Sequence, residues 1–195
     1  MLDERELTEN GKKTRRQIYE AAVELLLKEG YDKLTIKKIC KASGTSNGSF
    51  YHFFRNKDEL LAYYYNVTAE KFLEEQNEDF ANATLYEQMM ICYRWYTKYS
   101  SSYGVDFCRN FFIPSNRSID PDYMYNAFYE ISRECLHAHK EQLAPGRDPD
   151  LVAHDLCVMA KGIIADWSNS KGAYDISEAT ERMFSAYLYG VLDHS

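Results

Sequence analysis

The side chains most suited to a chemical role lie in a polar segment at residues 46–52, which reads Ser-Asn-Gly-Ser-Phe-Tyr-His. Helical spacing turns Phe50 inward together with Phe53. The side chains left facing outward are those of Ser46, Asn47, Ser49, Tyr51 and His52. An asparagine amide can read the edge of a base, and hydroxyl groups can donate to phosphate oxygens. This face suits a nucleic-acid duplex; the competing interpretation is a helical hairpin inside an ordinary bundle, with an unspecialised surface.

Catalytic and metal-binding chemistry has less support. His137 and His139 cannot turn both rings to one metal from a regular helix, whereas Cys135 and His139 share a face and leave half a metal site conceivable. Cys157 follows His154 by three residues, but a buried helical thiol is a simpler interpretation than a thiol–imidazole pair. The chain has no His-Glu-x-x-His motif and no glycine-rich phosphate loop. We expect no enzyme activity, no cofactor and no metal site.

Two short helices must position the polar segment. The first is predicted over residues 35–42, with Thr35 as its cap, and the second over residues 46–52. Gly44 lies between them, where a tight turn favours a positive φ. Two short helices joined by a glycine turn form a helix-turn-helix, whose second helix enters the major groove of DNA.

The charge distribution divides the chain in two. Residues 11–57 hold eleven Lys and Arg against four Asp and Glu, a sum of +7. Because the whole chain has a net charge of −7, the remainder carries −14. A basic stretch can be only a solvated face, but this asymmetry favours different partners for the two parts.

The chain reads as helix almost throughout, so we predict an all-α fold. Capping signals place a Glu or Gln three residues after Thr14, Asn56, Thr84 and Asp175, and Asp-Pro pairs occur at 120–121 and 148–149. About nine helices are predicted, over residues 14–29, 35–42, 46–52, 56–77, 84–100, 104–112, 121–142, 149–169 and 176–192. The predicted domains are a DNA-binding domain over 1–57 and a ligand-binding and dimerisation domain over 58–195, with helix 56–77 as connector.

From about Thr14 to Leu61 the sequence resembles the DNA-binding domain of the TetR/AcrR family of bacterial transcriptional regulators. The matching positions include Ala42-Ser43-Gly44-Thr45-Ser46, Gly48-Ser49-Phe50-Tyr51-His52-Phe53-Phe54 and Lys57-Asp58-Glu59-Leu60. Ser43-Gly44-Thr45 departs from the usual Ala-Gly-Val of the family, and both changes are small. The remaining two-thirds of the chain matches the family only in general layout.

The resemblance implies specific roles for residues of this segment. Lys37, Asn47, Gly48, Ser49 and His52 stand where family members approach bases, and Thr35, Tyr51 and Lys57 stand where they hold phosphates. It also implies a homodimer that binds a palindromic operator in double-stranded DNA and, in most members, releases it when a small molecule binds.

Aromatic side chains are concentrated after residue 60, where 23 of the 29 lie. Most fill a core, but in this family helices 4 to 8 surround a cavity, and ligand pockets are mainly apolar with a few placed polar groups. The residues expected to line it are Tyr64, Met89, Tyr93, Tyr96, Phe107, Phe111, Tyr125, Phe128 and Cys157.

Small residues mark the last two predicted helices. Ala153, Ala160, Gly162 and Ala165 lie on one, and Ala186 and Gly190 on the other. Small side chains allow backbones to approach closely, so two such helices from each of two subunits would form a four-helix bundle. Packing within one subunit is the alternative.

Composition argues against a membrane-spanning, a secreted or a disulfide-bonded protein. No uncharged stretch approaches the roughly 20 residues that a membrane helix needs, and the polar N-terminus is unlike a signal peptide. Five widely spaced cysteines indicate reduced thiols rather than a disulfide framework. We therefore expect a cytoplasmic protein.

Two functional hypotheses remain open at this stage. The first is a ligand-responsive, homodimeric DNA-binding repressor, with an activator as a variant. The second is a helical protein that binds a small molecule or a partner without specific DNA recognition. The acidic and aromatic residues suit a hydrophobic cation as effector, and an acyl chain or an aromatic acid is equally open.

Overall fold

A computed structural model describes residues 7–30, 33–75, 78–112 and 127–193. Within these ranges the chain forms eleven α-helices and no strand, which confirms the all-α prediction. The helices are α1 Glu9–Glu29, α2 Ile36–Ser43, α3 Asn47–Phe53, α4 Lys57–Ala62, α5 Tyr64–Glu75, α6 Glu78–Asn82, α7 Leu85–Ser102, α8 Val105–Phe112, α9 Ala127–Ala138, α10 Pro149–Asn169 and α11 Ile176–Val191. A 3₁₀ turn, Lys140–Gln142, follows α9.

The described residues divide into two compact units, one ending at Tyr64 and the other beginning at Tyr65. In the N-terminal unit, α2 and α3 pack against α1. Its core is built from Ile18, Ala22, Ile39 and Phe50, all fully buried. The domain boundary at residue 57 stays a prediction.

In the C-terminal unit, α10 is the central helix. It packs against α7, α8, α9 and α11, and α11 in turn packs along α7. Helix α10 therefore carries buried side chains on several sides, among them Leu156, Ala160 and Ile164. No helix in the described ranges has both the length and the apolar character needed to cross a bilayer.

Several predicted caps are confirmed. Thr84 and Glu87 form a complete capping box at the start of α7, and Asp148 accepts a hydrogen bond from the backbone N–H of Asp150, with Pro149 in the first turn of α10. Asp175 caps α11 in the same way. These bonds satisfy backbone donors that a helix start leaves without a partner.

The prediction that Thr14 begins the first helix is wrong. Helix α1 begins at Glu9, with Thr8 as its cap, and the Thr14 hydroxyl lies within the helix, where it donates to the carbonyl of Asn10 (2.9 Å). A threonine hydroxyl can bond the carbonyl one turn back as readily as cap a helix, so the pattern alone does not separate the two roles.

The single connector helix predicted over 56–77 is also wrong. Helix α4 ends at Ala62 and α5 begins at Tyr64, and the intervening Tyr63 has its ring buried in the N-terminal unit. Helix α6 was not predicted, and the helix predicted over 121–142 ends at Ala138. The Asp-Pro start predicted at 120–121 lies outside the described residues.

A charged cluster ties α9 to the start of α10. Asp150 accepts hydrogen bonds from Arg133 Nε and from His137 Nε2, both at 2.8 Å. Bonding to His137, and then to Arg133, lowers the pKa of Asp150 below its usual 3.8. The charged carboxylate therefore favours the folded state at neutral pH, and this contribution is lost as the pH falls through the lowered pKa.

We expect Asp150→Asn to lower the melting temperature at pH 7 and to have a smaller effect near pH 3, because the wild-type carboxylate is then protonated as well. Thermal unfolding followed by circular dichroism from pH 7 to pH 3 measures this. Glu134→Gln, which removes an exposed carboxylate of α9, is the control. An equal difference between wild type and Asp150→Asn at every pH would contradict the role given to the carboxylate charge.

Candidate functional site

The turn between α2 and α3 is fixed by hydrogen bonds. Gly44 adopts the left-handed conformation with φ 66°, and the N–H of Thr45 bonds to the carbonyl of Cys40 at 3.0 Å. From α1, the amide of Gln17 donates to the carbonyl of Ser43 at 2.9 Å. The turn is thus attached to α1 as well as closed locally, which fixes the angle at which α3 leaves it.

Helix α3 presents the predicted polar face. Ser46 caps it by accepting from the N–H of Ser49 (3.0 Å), while Phe50 and Phe53 are buried beneath. All eight residues predicted to contact DNA lie on α2, on α3 or at the start of α4. Thr35, Lys37, Asn47, Gly48, Tyr51 and His52 are exposed, and Ser49 and Lys57 are partly exposed. The structure therefore leaves every predicted contact residue accessible.

Gly48 lies inside α3, where a glycine weakens a helix. A methyl group built there would meet nothing closer than the Ser46 hydroxyl at 3.6 Å, and Gly48 is not among the positive-φ glycines. Neither backbone conformation nor packing within the protein requires glycine at this position. An external surface that approaches the helix closely would require it.

Arg15 is one of the eleven basic residues counted in this segment, and the structure buries it. Its guanidinium lies 4.2 Å from the centre of the Tyr63 ring and 5.4 Å from that of Phe54, and its side chain is 1% exposed. Tyr19 adds an edge-on contact to Tyr63 at 5.6 Å. These cation–π and aromatic contacts join α1, the end of α3 and the break before α5.

Other basic side chains of this unit are paired with acids. Lys38 bonds to Glu29, which lowers the pKa of Glu29, and Arg55 bonds to the Glu59 carboxylate at 3.1 Å. The unpaired positive charge of this unit is therefore smaller than the composition indicates, although its net charge remains positive.

In the C-terminal unit, the predicted lining residues belong to a packed aromatic core. Met89, Tyr93, Tyr96, Phe107, Phe128 and Cys157 are all buried there. Tyr64 is buried too, but it is grouped with the N-terminal unit. The side chain of Phe111 and the whole of Tyr125 lie outside the described part of the chain.

The core also contains aromatic residues that were not singled out from the sequence. Phe128 lies 4.6 Å from Tyr96 and 5.4 Å from Phe72, measured between ring centres. Phe184 of α11 stacks on Tyr93 at 4.7 Å. An aromatic-rich region identifies such residues as a group, but only packing shows which of them share a core.

A polar network crosses this core. The Tyr93 hydroxyl is 2.8 Å from Ser132 Oγ and 3.3 Å from Cys157 Sγ, joining α7, α9 and α10. Because the Ser132 hydroxyl donates to the carbonyl of Phe128, Tyr93 donates to Ser132 and the Cys157 thiol donates to the tyrosine oxygen. Burial raises the pKa of both Tyr93 and Cys157, so both stay neutral.

The structure does not support the conceivable metal and thiol sites. Helix α9 ends at Ala138, one residue before His139, and Cys157 bonds to Tyr93 rather than to His154. In the described residues no group of three or more potential ligands could hold a metal ion. Residues 44–48 have the spacing Gly-x-Ser-x-Gly, but Ser46 caps a helix that follows another helix, whereas a nucleophile elbow joins a strand to a helix.

The surface of the C-terminal unit has a groove between α10 and α11. Its volume is about 310 Å³. It is lined by Gly162, Ile163, Asp166, Tyr174, Asp175, Glu178, Ala179, Arg182 and Met183. None of these residues was predicted to line a ligand pocket, and the groove lies on the two helices predicted to form a dimer.

Residues 18–64 match the sequence model described as "Bacterial regulatory proteins, tetR family". The helix-turn-helix segment of this chain is of the TetR type. The match contains the whole helix-turn-helix and all eight predicted contact residues.

Curated relatives agree with the TetR assignment over the same region. A "Fatty acid metabolism regulator protein" of Bacillus subtilis is 35% identical over 63 residues, which are 32% of each chain. An HTH-type transcriptional repressor of Mycobacterium tuberculosis is 44% identical over 47 residues, 24% of this chain and 25% of that protein. The chain thus aligns with no more than about a third of the length of these relatives.

Solved structures extend the likeness to the fold of the whole TetR-type chain. FadR of Bacillus subtilis, in complex with stearoyl-CoA, has a TM-score of 0.69 at 19% identity, covering 90% of this chain and 98% of that one. Thermus thermophilus FadR, in complex with lauroyl-CoA, has a TM-score of 0.72 at 19% identity, covering 93% and 96%.

Reasoning from the sequence missed three residues that matter to this TetR-type site. Gln17 holds the turn, and Arg15 and Tyr63 form the buried contact behind α3. The sequence offered one signal, the placement of Arg15 three residues before Ile18, on the apolar face of α1.

We expect Gly48→Ala to raise the free energy of unfolding by about 0.5–1 kcal/mol, since alanine favours the helix and has space. If α3 enters the major groove as the sequence predicts, the added methyl group also obstructs close approach and weakens DNA binding. Thermal unfolding and fluorescence anisotropy on the same protein measure both effects. Greater stability with unchanged DNA affinity would show that nothing approaches Gly48 closely.

Proposed function

We propose that this protein is a ligand-responsive transcriptional regulator, a homodimeric repressor that binds a palindromic operator and releases it when a small amphipathic molecule binds. The observation that carries the proposal is the exposed polar face of α3, held by a helix-turn-helix inside the segment that matches the TetR family. A regulator of this kind works on chromosomal DNA, which places it in the cytoplasm.

DNA recognition is assigned to residues 1–57, with α3 in the major groove. Asn47 and His52 read base edges together with Lys37 and Ser49, while Gly48 lets the backbone approach. Thr35, Tyr51 and Lys57 hold phosphates, which position the protein without reading sequence. The exposure of all eight residues supports this assignment.

Dimerisation is assigned to α10 and α11. Gly162 and Gly190 are exposed, and a methyl group built at either would meet no atom within 4 Å. Packing within one subunit therefore gives no reason for glycine at these helical positions, whereas close approach by a second copy does. Leu151, Val158 and Met183, all exposed, extend the same two helices with apolar surface.

The effector site is assigned to the C-terminal unit. The proposed lining residues in this unit are Met89, Tyr93, Tyr96, Phe107, Phe111, Tyr125, Phe128 and Cys157, whereas Tyr64 stays a prediction from the sequence alone. This assignment is supported by the apolar core, which contains a few hydrogen-bonded polar groups. Ligand sites usually have this composition. Two FadR proteins of similar fold are described with stearoyl-CoA and lauroyl-CoA, so we propose an effector with a long apolar tail.

Selection from a random duplex library by the purified protein tests DNA recognition and provides an operator. We then expect Asn47→Ala to cost about 1–3 kcal/mol of binding and to relax preference at one operator position. Lys57→Ala should weaken all sequences alike and reduce the salt slope by about one unit.

Lys98→Ala, which removes an exposed lysine of α7, is the matched control and should leave both affinity and slope unchanged. Failure to select any duplex would favour the second candidate, a helical binding protein without DNA recognition. A reporter gene placed behind the operator separates a repressor from an activator.

We expect Gly190→Glu to split the dimer, because the long charged side chain would hold the two subunits apart and bury its charge. Leu73→Glu places the same charge at an exposed apolar position of α5 and should leave the dimer intact. Sedimentation velocity measures both variants. An intact Gly190→Glu dimer would move the interface away from α11.

The effector and the operator should weaken each other by the same factor, because linkage is reciprocal. A coupling of about 1–3 kcal/mol is typical of such switches. Calorimetric titration of lauroyl-CoA into the protein, with and without the selected operator, measures it. Equal affinities in the two titrations would show that this ligand does not control DNA binding.

A further inference from the structure

Arg55 lies just after α3, and its side chain points to solvent. Helix α3 ends at Phe53, and the next residue, Phe54, is buried in an extended conformation (φ −138°, ψ 127°). Side chains alternate in direction along an extended backbone. The burial of Phe54 therefore turns Arg55 outward, where 74% of its side chain is exposed. Lys57, which is proposed to hold a phosphate, follows two positions later.

A nearly buried carboxylate holds Arg55 in this position. One oxygen of Glu59, Oε2, accepts a hydrogen bond from the backbone N–H of Arg55 at 2.6 Å and another from its Nε at 3.1 Å. The Glu59 side chain is only 9% exposed. Its backbone N–H bonds to the side chain of Asn56 at 2.8 Å, at the start of α4. The carboxylate thus fixes both the backbone and the guanidinium of Arg55.

This ion pair has its positive end toward solvent. In the pair of Arg16 with Glu20, which has the same spacing of four residues, the carboxylate is the more exposed partner, at 61% against 39%. At Arg55 the order is reversed, because Glu59 is nearly buried. An anion that approaches this surface therefore meets the guanidinium before the carboxylate, although the formal charges of the pair cancel.

The solvent-facing part of this guanidinium suits a phosphate group. An arginine carries five N–H donors in a planar fork, and Glu59 accepts from the one on Nε. Among the residues that the structure describes, none bonds to either Nη nitrogen of Arg55. Two Nη groups can form parallel hydrogen bonds to two oxygens of one phosphate. Because Glu59 already orients the side chain, less conformational entropy is lost when such a contact forms.

We propose that Arg55 is a further contact to the phosphate backbone of DNA and that Glu59 is its positioning residue. A helix in the major groove is flanked by the phosphates of the two strands, so residues just beyond its end lie near one of them. This inference rests on the proposed DNA-binding function and adds a contact that depends on a negatively charged residue. Removal of a negative charge near DNA ordinarily strengthens binding, whereas removal of the Glu59 charge should weaken it.

The salt dependence of DNA binding tests Arg55. The full-length protein is titrated with a duplex selected from a random library, and fluorescence anisotropy is measured between about 50 and 200 mM salt. We expect Arg55→Ala to weaken binding by about tenfold, alike for all sequences, and to reduce the salt slope by about one unit. Arg94→Ala, which removes an arginine paired with Glu181 in the C-terminal unit, is the control and should leave the slope unchanged. An unchanged slope for Arg55→Ala would overturn the contact.

Glu59→Gln tests the positioning role, both in the wild-type protein and in Arg55→Ala. In the wild type we expect about threefold weaker binding or more, because the guanidinium loses its charged anchor. In Arg55→Ala the same change should leave binding unchanged or strengthen it, since a repelling charge is lost and no guanidinium depends on it. Weakening of equal size in both backgrounds would show that Glu59 serves the fold alone and would overturn its positioning role.

The outcomes for Arg55 and for DNA binding as a whole can be told apart. A wild-type protein that selects no duplex would overturn both the proposed function and this inference. A wild type whose salt slope falls in Lys57→Ala but not in Arg55→Ala would overturn the inference alone. Melting temperatures of all variants confirm that they are folded.

Discussion

The N-terminal unit depends on the burial of the apolar faces of α2 and α3 against α1. Helices of eight and seven residues are too short to be stable alone in water. They persist because Ile39 and Phe50 are fully buried in a core with Ile18 and Ala22 of α1. Once Phe50 and Phe53 are fixed inward, helical geometry leaves Asn47, Tyr51 and their neighbours no orientation but outward.

Behind that face, Arg15 is buried, although composition alone would place an arginine at the surface. A guanidinium between two aromatic rings stays charged yet contacts apolar surface, so it can fill the space between α1, Phe54 and Tyr63. The ring of Tyr63 is buried at the same point where the chain leaves α4. The same contacts thus join α1, the end of α3 and the residue that follows α4.

The C-terminal unit differs in that several tyrosine side chains are buried in its core. A buried phenol requires a hydrogen-bond partner, and Tyr93 obtains one from Ser132 and another from Cys157. Such a network is directional, unlike aliphatic packing, and it fixes three helices relative to one another. This core thus combines aromatic packing with a few hydrogen-bonded polar groups of defined position.

The sequence alone determined the helical class, the helix-turn-helix and the outward polar face, because each depends on residues three or four positions apart and on local caps such as Thr84 with Glu87. Tertiary structure decided the rest. The capping pattern alone did not decide whether Thr14 caps a helix or bonds within it, or whether the segment after Asn56 is one helix or two. Arg15 is a further case, because its burial requires the distant side chains of Phe54 and Tyr63. A sequence pattern states which side of a helix is apolar, but only packing decides which distant residue covers it.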